Sequence, residues 1–460
     1  MIHRLLAILL VVVALLPLRA EAGGYTLPVH GVRPLSLGGA SVASAEGADA
    51  IWYNPANLGA TALSLEASVI SLDATFQSAN GGPAVESTAP LLPNPQLGLV
   101  WKAHERLSIA LGAYAPYAGQ LRFAEDGPQR YALVENHNST VLFLHLAAGI
   151  RLGNFRLGGG IQNVMAHVRQ RIVLSGYTGL FGYASDPELD VLAELDLNDP
   201  VNITANFGAS WDLGPVTLAL AAQLPFTVAG EATFRERLPS SVFFDNAAVE
   251  GDRAHLEIPF PFQLRAGVAL HATEWLRIEA AGSFEDWSVQ QRLVIEPIDM
   301  RLTGIPAIGD YRLPPVVLER RMRDTFSVHL GGEADLGKGF RVRSGFFYEP
   351  SAFDDATFSM ALPDDDKIGI ALGGGFSFAQ FRVDASLARV IQGSREVRSS
   401  ELRQVNPTNP GQAEVIANGT YDTGYWMGGL SFAWIPGVGE HDAAPDLGRP
   451  SDTLDISLDK

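Results

Sequence analysis

The sequence contains no cysteine. That excludes disulfide staples, thiolate catalysis and cysteine-ligated zinc or iron–sulfur centres. Charge is also scarce, at 18% of residues against roughly 25% in an average soluble domain. What charge there is leans acidic, with 33 Lys and Arg against 51 Asp and Glu for a net of −18. Nucleic acid is therefore not an expected partner. Forty-seven percent of residues are hydrophobic, which excludes a disordered chain or a coiled coil. Beyond the N-terminus no run suits a membrane helix. The nearest uncharged stretch, 213–230, is interrupted by Pro215, Gln223 and Pro225.

The first twenty-two residues read as an export signal. His3 and Arg4 form a basic start, residues 5–16 an apolar stretch too short to span a bilayer, and Ala20-Glu21-Ala22 a small-residue cleavage site before Gly23. The mature protein is expected to leave the cytoplasm.

What the rest of the chain has in quantity is alternation. Val216, Leu218, Leu220, Leu224 and Phe226 interleave with Thr217, Ala219, Ala221 and Gln223. The same period of two recurs over 141–152, 262–271, 326–335 and 368–378, with one bulky apolar face and one small or polar face. A soluble sandwich has this period too, so the connections decide. About fourteen strand-like segments alternate between tight turns and links of roughly 15 to 30 residues. The tight turns fall near His104-Glu105, Gly153-Asn154, Gly214-Pro215, Thr273-Glu274, Gly337-Lys338 and Ala379-Gln380. The long links fall near 78–93, 116–137, 173–199, 236–257, 293–324, 350–366 and 398–422. Long loops on one rim, tight turns on the other and an even strand count predict an all-β, fourteen-stranded antiparallel transmembrane barrel. Trp101, Trp211, Trp275, Trp426 and Trp434 are expected near strand ends, as an aromatic girdle. The barrel is expected over 61–435. Residues 23–60, rich in Gly, Ala and Ser, could plug its lumen, and 436–460 form an acidic tail expected to be disordered.

Three stretches resemble the FadL family of long-chain fatty acid transporters and its aromatic-hydrocarbon relatives. Gly38-Gly39-Ala40 followed by Asn54-Pro55-Ala56 is similar to the family's N-terminal hatch with its Asn-Pro-Ala motif. Ala115-Pro116-Tyr117-Ala118-Gly119 resembles a proline-containing stretch at the end of the third strand. Gly345-Phe346-Phe347-Tyr348-Glu349, then Leu362 to Lys367 and a Gly-rich strand, resembles a late hairpin. The likeness covers nearly all of the mature chain. It implies a monomeric outer-membrane barrel for passive uptake of hydrophobic compounds, with long-chain fatty acids as substrate. Aromatic hydrocarbons or alkanes are the alternative within transport, and a structural or adhesive barrel the alternative outside it. The implied route is loop capture, binding in the barrel, hatch movement and lateral exit beside a kinked third strand. Its partners are the hydrophobic ligand and outer-membrane lipid, with no cofactor.

Individual residues carry two readings each. Asn54, with Pro55 and Ala56, is either part of a hatch or an ordinary Asn-Pro turn. Pro116 either holds a kink or ends a strand. Leu180, Phe181, Tyr183, Leu189, Leu192, Phe243 and Phe244 either catch ligand or pack the loops together, and Asp186-Pro187 opens a helix-like run through Leu189, Leu192 and Leu195. Arg265, Arg341 and Arg343 are the headgroup candidates among inward charges that also include Arg277, Glu279, Glu333, Asp335, Arg382 and Asp384; the other reading pairs these as wall charges. His145, His271 and His329 have no nucleophile or acid at a catalytic spacing, so no catalytic residue is assigned. Asp364-Asp365-Asp366 reads as a solvated turn, not a metal site. The chain departs from many outer-membrane barrels in one respect: Trp434 is followed by the acidic tail.

Overall fold

A computed structural model describes residues 27–436 except 118, 137–138, 181, 240 and 306–308, with the backbone only at Phe243. The export signal, residues 23–26, Phe181 and the acidic tail from 437 onward lie outside the described residues.

The alternating segments form one closed sheet. Among the described residues its wall strands are β1 Ala62–Ser78, β2 Leu92–His104, β3 Leu107–Tyr117, β4 Thr140–Leu152, β5 Phe155–Ser175 and β6 Asp190–Leu213. Four strands are interrupted: β7 is Val216–Gln223 then Phe226–Arg237, and β8 is Arg253–Phe260 then Gln263–His271. In the same way β9 is Leu276–Glu285 then Arg292–Ile298, and β10 is Val316–Glu319 then Thr325–Gly337. The last four are β11 Phe340–Glu349, β12 Lys367–Phe378, β13 Phe381–Val397 and β14 Gly419–Trp434. Each strand pairs antiparallel with the next, and β14 returns to β1 from Ser78↔Gly419 to Leu63↔Trp434. This is the fourteen-stranded antiparallel barrel the connection lengths predict.

Closure removes the unpaired edge that lipid cannot satisfy. The tight turns suit it: Gly153 and Gly214 take φ of +64° and +65°, the left-handed backbone that two-residue hairpins need. Breaks in β7 and β8 fall at Leu224-Pro225 and Pro261-Phe262, where a missing N–H interrupts the ladder.

Alternation also locates the membrane. Leu213, Trp211, Phe207, Ile203 and Val201 of β6 and Ile161, Leu157 and Phe155 of β5 are exposed on the outer face. Above them the outward positions become Arg169 and Arg171 opposite Asp196 and Glu194, with Arg169 to Glu194 at 3.0 Å. Strands β5 and β6 therefore continue past the apolar band into the extracellular space. This corrects the helix-like run expected after Asp186. The Asp186 carboxylate accepts the Glu188 amide and caps a single 3₁₀ turn, Pro187–Leu189, after which β6 begins at once. Val191, Ala193, Leu195 and Leu197 are buried in alternation, so period two governs there and not the spacing of 189, 192 and 195.

Trp101, Trp211, Trp275 and Trp434 lie at the tight-turn rim. Trp426 does not sit at a strand end. It lies eight residues up β14 from Trp434 (434 − 426), about 27 Å at ~3.4 Å per residue. On a strand tilted about 40° that length rises about 21 Å, which puts Trp426 near the opposite edge of an apolar band about 25 Å tall.

Candidate functional site

Residues 27–58 run inside the barrel as two short helices, α1 Val32–Ser36 and α2 Ala48–Tyr53, and a 3₁₀ turn, Pro55–Asn57. Small side chains let this inner segment press its backbone onto the wall. A Cβ added to Gly331 would lie 2.5 Å from the Leu37 carbonyl oxygen, and one on Gly149 2.6 Å from that of Pro55. The wall is glycine at both of these close contacts.

Asn54 is fully buried, and its side chain bonds in three directions. Its Nδ2 donates to the Val42 carbonyl (3.1 Å) and to Ser210 Oγ of β6 (3.0 Å), while its Oδ1 accepts the Ala56 amide (3.1 Å). Asn57, which the sequence reading passed over, repeats the pattern. Its Nδ2 donates to the carbonyls of Val42 and Ala43, and its Oδ1 accepts from Ser210 Oγ at 2.8 Å. The turn carrying Pro55 and Ala56 is thus tied both to the inner segment and to the wall.

A buried ionic network binds the same segment on its other side. Arg33 pairs with Glu46 at 2.8 Å and Glu333 at 3.5 Å. Arg343 pairs with Glu333 at 2.5 Å and Asp384 at 2.7 Å, Arg277 with Glu333 at 3.0 Å, and Arg382 with Glu46 at 2.8 Å. Arg341 faces Asp335 at 3.4 Å. Two of the headgroup candidates, Arg341 and Arg343, are thus already held by carboxylates. Arg265 is held by other means. Its guanidinium lies 4.2 Å over the Trp52 ring and donates to the Trp52 carbonyl and to Gln263. Glu66 and Glu279 accept the amides of Val32 and Ala43, so even these acids serve the inner segment.

Above this floor lies a cavity open to solvent, with about 1440 Å³ of empty space when that open solvent is included. Leu27, Ile70, Leu92, Leu195, Ile258 and Phe260 give it apolar walls. Polar groups line it as well, from Gln120, Asn136 and Thr140 on one part of the wall to Lys367 and Gln392 on another. Lys367 is one of them, but it is already paired with Glu349 at 2.8 Å and with Asp364. Arg320 is different. It is 95% buried (5% exposed) and lines the cavity, its Nε has no hydrogen-bond partner, and no carboxylate of the described residues lies within 4.0 Å. It sits between the two halves of β10, where strand alternation gives no orientation.

Aromatic rings lead from the cavity toward the inner segment. Phe226 stacks on Phe260 at 4.5 Å, Tyr117 meets Phe260 at 4.8 Å and Phe143 at 5.9 Å, and Tyr114 meets Phe143 and Trp52, both at 5.7 Å. Beside Tyr114 and Tyr117 the wall is incomplete. β2 and β3 pair only from Leu97↔Ala113 to His104↔Leu107. β2 nevertheless stays paired with β1 up to Leu92↔Ile70, and β3 with β4 up to Tyr117↔Val141. Residues 92–96 and 114–117 therefore flank an unpaired stretch of wall. Pro116 sits in a bulge, since four residues of β3 (114 to 117) span three of β4 (143 to 141). Its carbonyl accepts the Leu27 amide at 3.0 Å.

The loop candidates separate. Leu180 and Tyr183 are exposed, whereas Leu189, Leu192 and Phe244 are buried and pack the extracellular extensions together. Nothing is described of Phe181 or of the Phe243 side chain.

Comparison with known proteins follows this geometry. The sequence profile of the family described as outer membrane protein transport protein (OMPP1/FadL/TodX) matches residues 13–422. No curated protein matches by sequence. Among solved structures, a Pseudomonas aeruginosa FadL homologue superposes with a TM-score of 0.72 at 16% identity, covering 90% of this chain and 100% of that one. The P. putida toluene transporter TodX gives 0.63 at 14% identity, covering 89% and 99%. The monoaromatic hydrocarbon channel CymD gives 0.57 at 18% identity, covering 90% and 99%. These likenesses establish the fold, and the profile match over most of the chain establishes that it belongs to the OMPP1/FadL/TodX family of outer-membrane transport proteins.

Proposed function

We propose that this barrel takes up long-chain fatty acids, holding the carboxylate at Arg320 and the tail along the apolar walls of the large cavity. Ligand first meets the extracellular mouth, where Leu180 and Tyr183 are exposed. It leaves sideways through the unpaired wall between β2 and β3 once the hatch, residues 27–58 in the described chain, withdraws Leu27. Lateral exit keeps the tail out of water throughout.

The observation that carries the reading is Arg320. A buried guanidinium without a carboxylate beside it is costly in an apolar cavity, and a ligand carboxylate would supply two charge-assisted bonds to it. Hydrogen bonds to charged groups contribute about 1.5–3 kcal/mol, so Arg320→Leu should weaken binding roughly 10- to 150-fold. The second reading, uptake of monoaromatic hydrocarbons, is favoured by the ring series Phe260–Tyr117–Phe143–Tyr114. It also finds support in the relatives described as a toluene transporter and a monoaromatic hydrocarbon channel.

Uptake of labelled oleate and toluene, in cells with and without the protein and with Arg320→Leu, separates the two. The fatty acid reading expects protein-dependent oleate uptake that the substitution depresses. Protein-dependent toluene uptake that the substitution leaves intact, with no oleate uptake, refutes it. No uptake of either compound refutes both.

A further inference from the structure

The unpaired wall between β2 and β3 is bordered by prolines on both sides, and we propose that Pro93 and Pro95 keep the sheet from zipping shut there. The proposal rests on the lateral exit described above and assigns the residues that hold the exit open.

The orientation of β2 follows from its own ladder. β2 is paired with β1 without a break from Leu92↔Ile70 to Val100↔Ala62, and the run includes Val69↔Pro93 and Ala67↔Pro95. Proline has no N–H. The ladder donors on β2 must therefore be Leu92, Asn94 and Gln96. A strand residue points its N–H and C=O to the same side, and the next residue points them to the other. Asn94 confirms the parity, because its carbonyl accepts from Ser68 Oγ of β1 at 2.8 Å. Pro93 and Pro95 thus turn their backbone away from β1 and toward the gap.

The paired part of β2 and β3 shows what these prolines prevent. Leu97↔Ala113 and Leu99↔Leu111 fix the register. Continued upward, it would set Pro95 against Ala115 and Pro93 against Tyr117. These are the positions where β2 should donate to β3, and neither can. On the opposite edge Pro116 lacks an N–H as well, and its carbonyl is already taken by Leu27.

The choice of proline also suits the lipid. An edge with free N–H groups is expensive in hydrocarbon and invites pairing with another strand. Proline deletes the donor, and the rings of Pro93 and Pro95 are exposed on the outer face. Confinement of strand proline to unpaired edges is the general rule. Here the edge lies in the middle of a closed wall.

Two variants test this. Pro93→Ala/Pro95→Ala restores two ladder donors. Each restored bond should favour the zipped wall roughly fivefold, so uptake should fall up to about 25-fold. The barrel should stay heat-modifiable, and the amides of residues 93 and 95 should be protected from hydrogen exchange. Pro95→Ala serves alone if the double variant does not assemble. The second arm uses the absence of cysteine: Ala115→Cys capped with a bulky thiol reagent obstructs the opening directly. Uptake lost on capping and depressed in the alanine variant, with protected amides, supports the proposal. Uptake lost on capping but native in the alanine variant overturns the role of the prolines and leaves lateral exit standing. Uptake unchanged on capping overturns lateral exit itself.

Discussion

A glycine pair beneath the Asn54 turn offers a direct test of how the hatch is seated. Gly149 of β4 and Gly158 of β5 stand opposite one another in the ladder, and Pro55 and Ala56 rest on them. A Cβ at Gly149 would come within 2.6 Å of the Pro55 carbonyl oxygen, where ordinary contact begins near 3.4 Å. The turn must lift by about 0.8 Å (3.4 − 2.6) to admit it. A Cβ at Gly158 would press closer still, against the Pro55 carbonyl carbon and the Ala56 amide nitrogen. All three are backbone atoms, so no rotamer change relieves the overlap. Overpacking of this kind costs about 1–3 kcal/mol, which shifts the ratio of seated to displaced hatch by roughly 5- to 150-fold. Alanine is otherwise acceptable in a strand, so the cost falls on the hatch and spares the wall. Gly149→Ala and Gly158→Ala should both give heat-modifiable barrels. In planar bilayers they should show more frequent open-channel events than the native protein, Gly158→Ala more than Gly149→Ala. Native conductance in both variants, or the reverse order, would refute the claim that these glycines seat the turn.

Asn54→Ala removes three buried hydrogen bonds and leaves the Val42 carbonyl and Ser210 with only Asn57 as partner. The Ala56 amide loses its acceptor, at a cost of about 1–3 kcal/mol, so the variant should raise amide exchange over 48–57 and lower uptake while the barrel still folds; unchanged exchange and uptake would count against it. Glu236 gives a pH prediction outside the membrane, on the extracellular part of β7 that pairs with residues 192–196 of β6. Burial pushes its carboxyl up to about 7 from 4.5, and its Oε1 has no hydrogen-bond partner. The folded state therefore binds the proton more tightly than the unfolded one, and stability is lost as pH rises from about 4.5 through 7. Glu236→Gln should raise the unfolding temperature at pH 8 and leave it nearly unchanged at pH 4, and a gain of equal size at both would refute the assignment.

Period two made the wall legible, because a barrel in lipid must alternate along every strand, and turn chemistry made its topology legible. The same signal failed where the strands left the membrane. Residues 166–175 and 190–199 keep alternating, but their outer face turns from apolar to charged, so they resemble loop. Alternation identified Arg265, Arg341 and Arg343 as inward, and the tight turn sets Asp335 and Glu333 across from Arg341 and Arg343, but the period could not supply Asp384 or Trp52, which come from distant positions. Arg320 escaped because it lies in the interruption of β10, where no period orients a side chain. Pro93 and Pro95 are visible in the sequence but ambiguous there: a proline near a strand end reads the same whether the edge beside it is paired or open.

The two groups of arginines divide the work of the lumen on energetic grounds. Arg33, Arg277, Arg343 and Arg382 share Glu46, Glu333 and Asp384. Removing one partner from a buried pair costs about 3–5 kcal/mol, so displacing the whole inner segment would break several such terms together. Its leading end is held far more lightly. Among the described residues, the hydrogen bonds that Leu27 to His30 make beyond this stretch are Leu27 to the Pro116 carbonyl and the His30 amide to Tyr53 Oη at 3.1 Å, with Leu27 and Val29 also buried in an apolar cluster. A typical hydrogen bond contributes about 0.5–1.5 kcal/mol net. The bond nearest the gap is therefore also the cheapest to break, and a ligand displacing Leu27 from Pro116 needs only a few of the contacts it gains in the cavity to offset it. The charged network ties Arg33 and Glu46 of the inner segment to the wall through Glu333 and Arg382, while Arg320, outside it, has no carboxylate of the described residues within 4.0 Å.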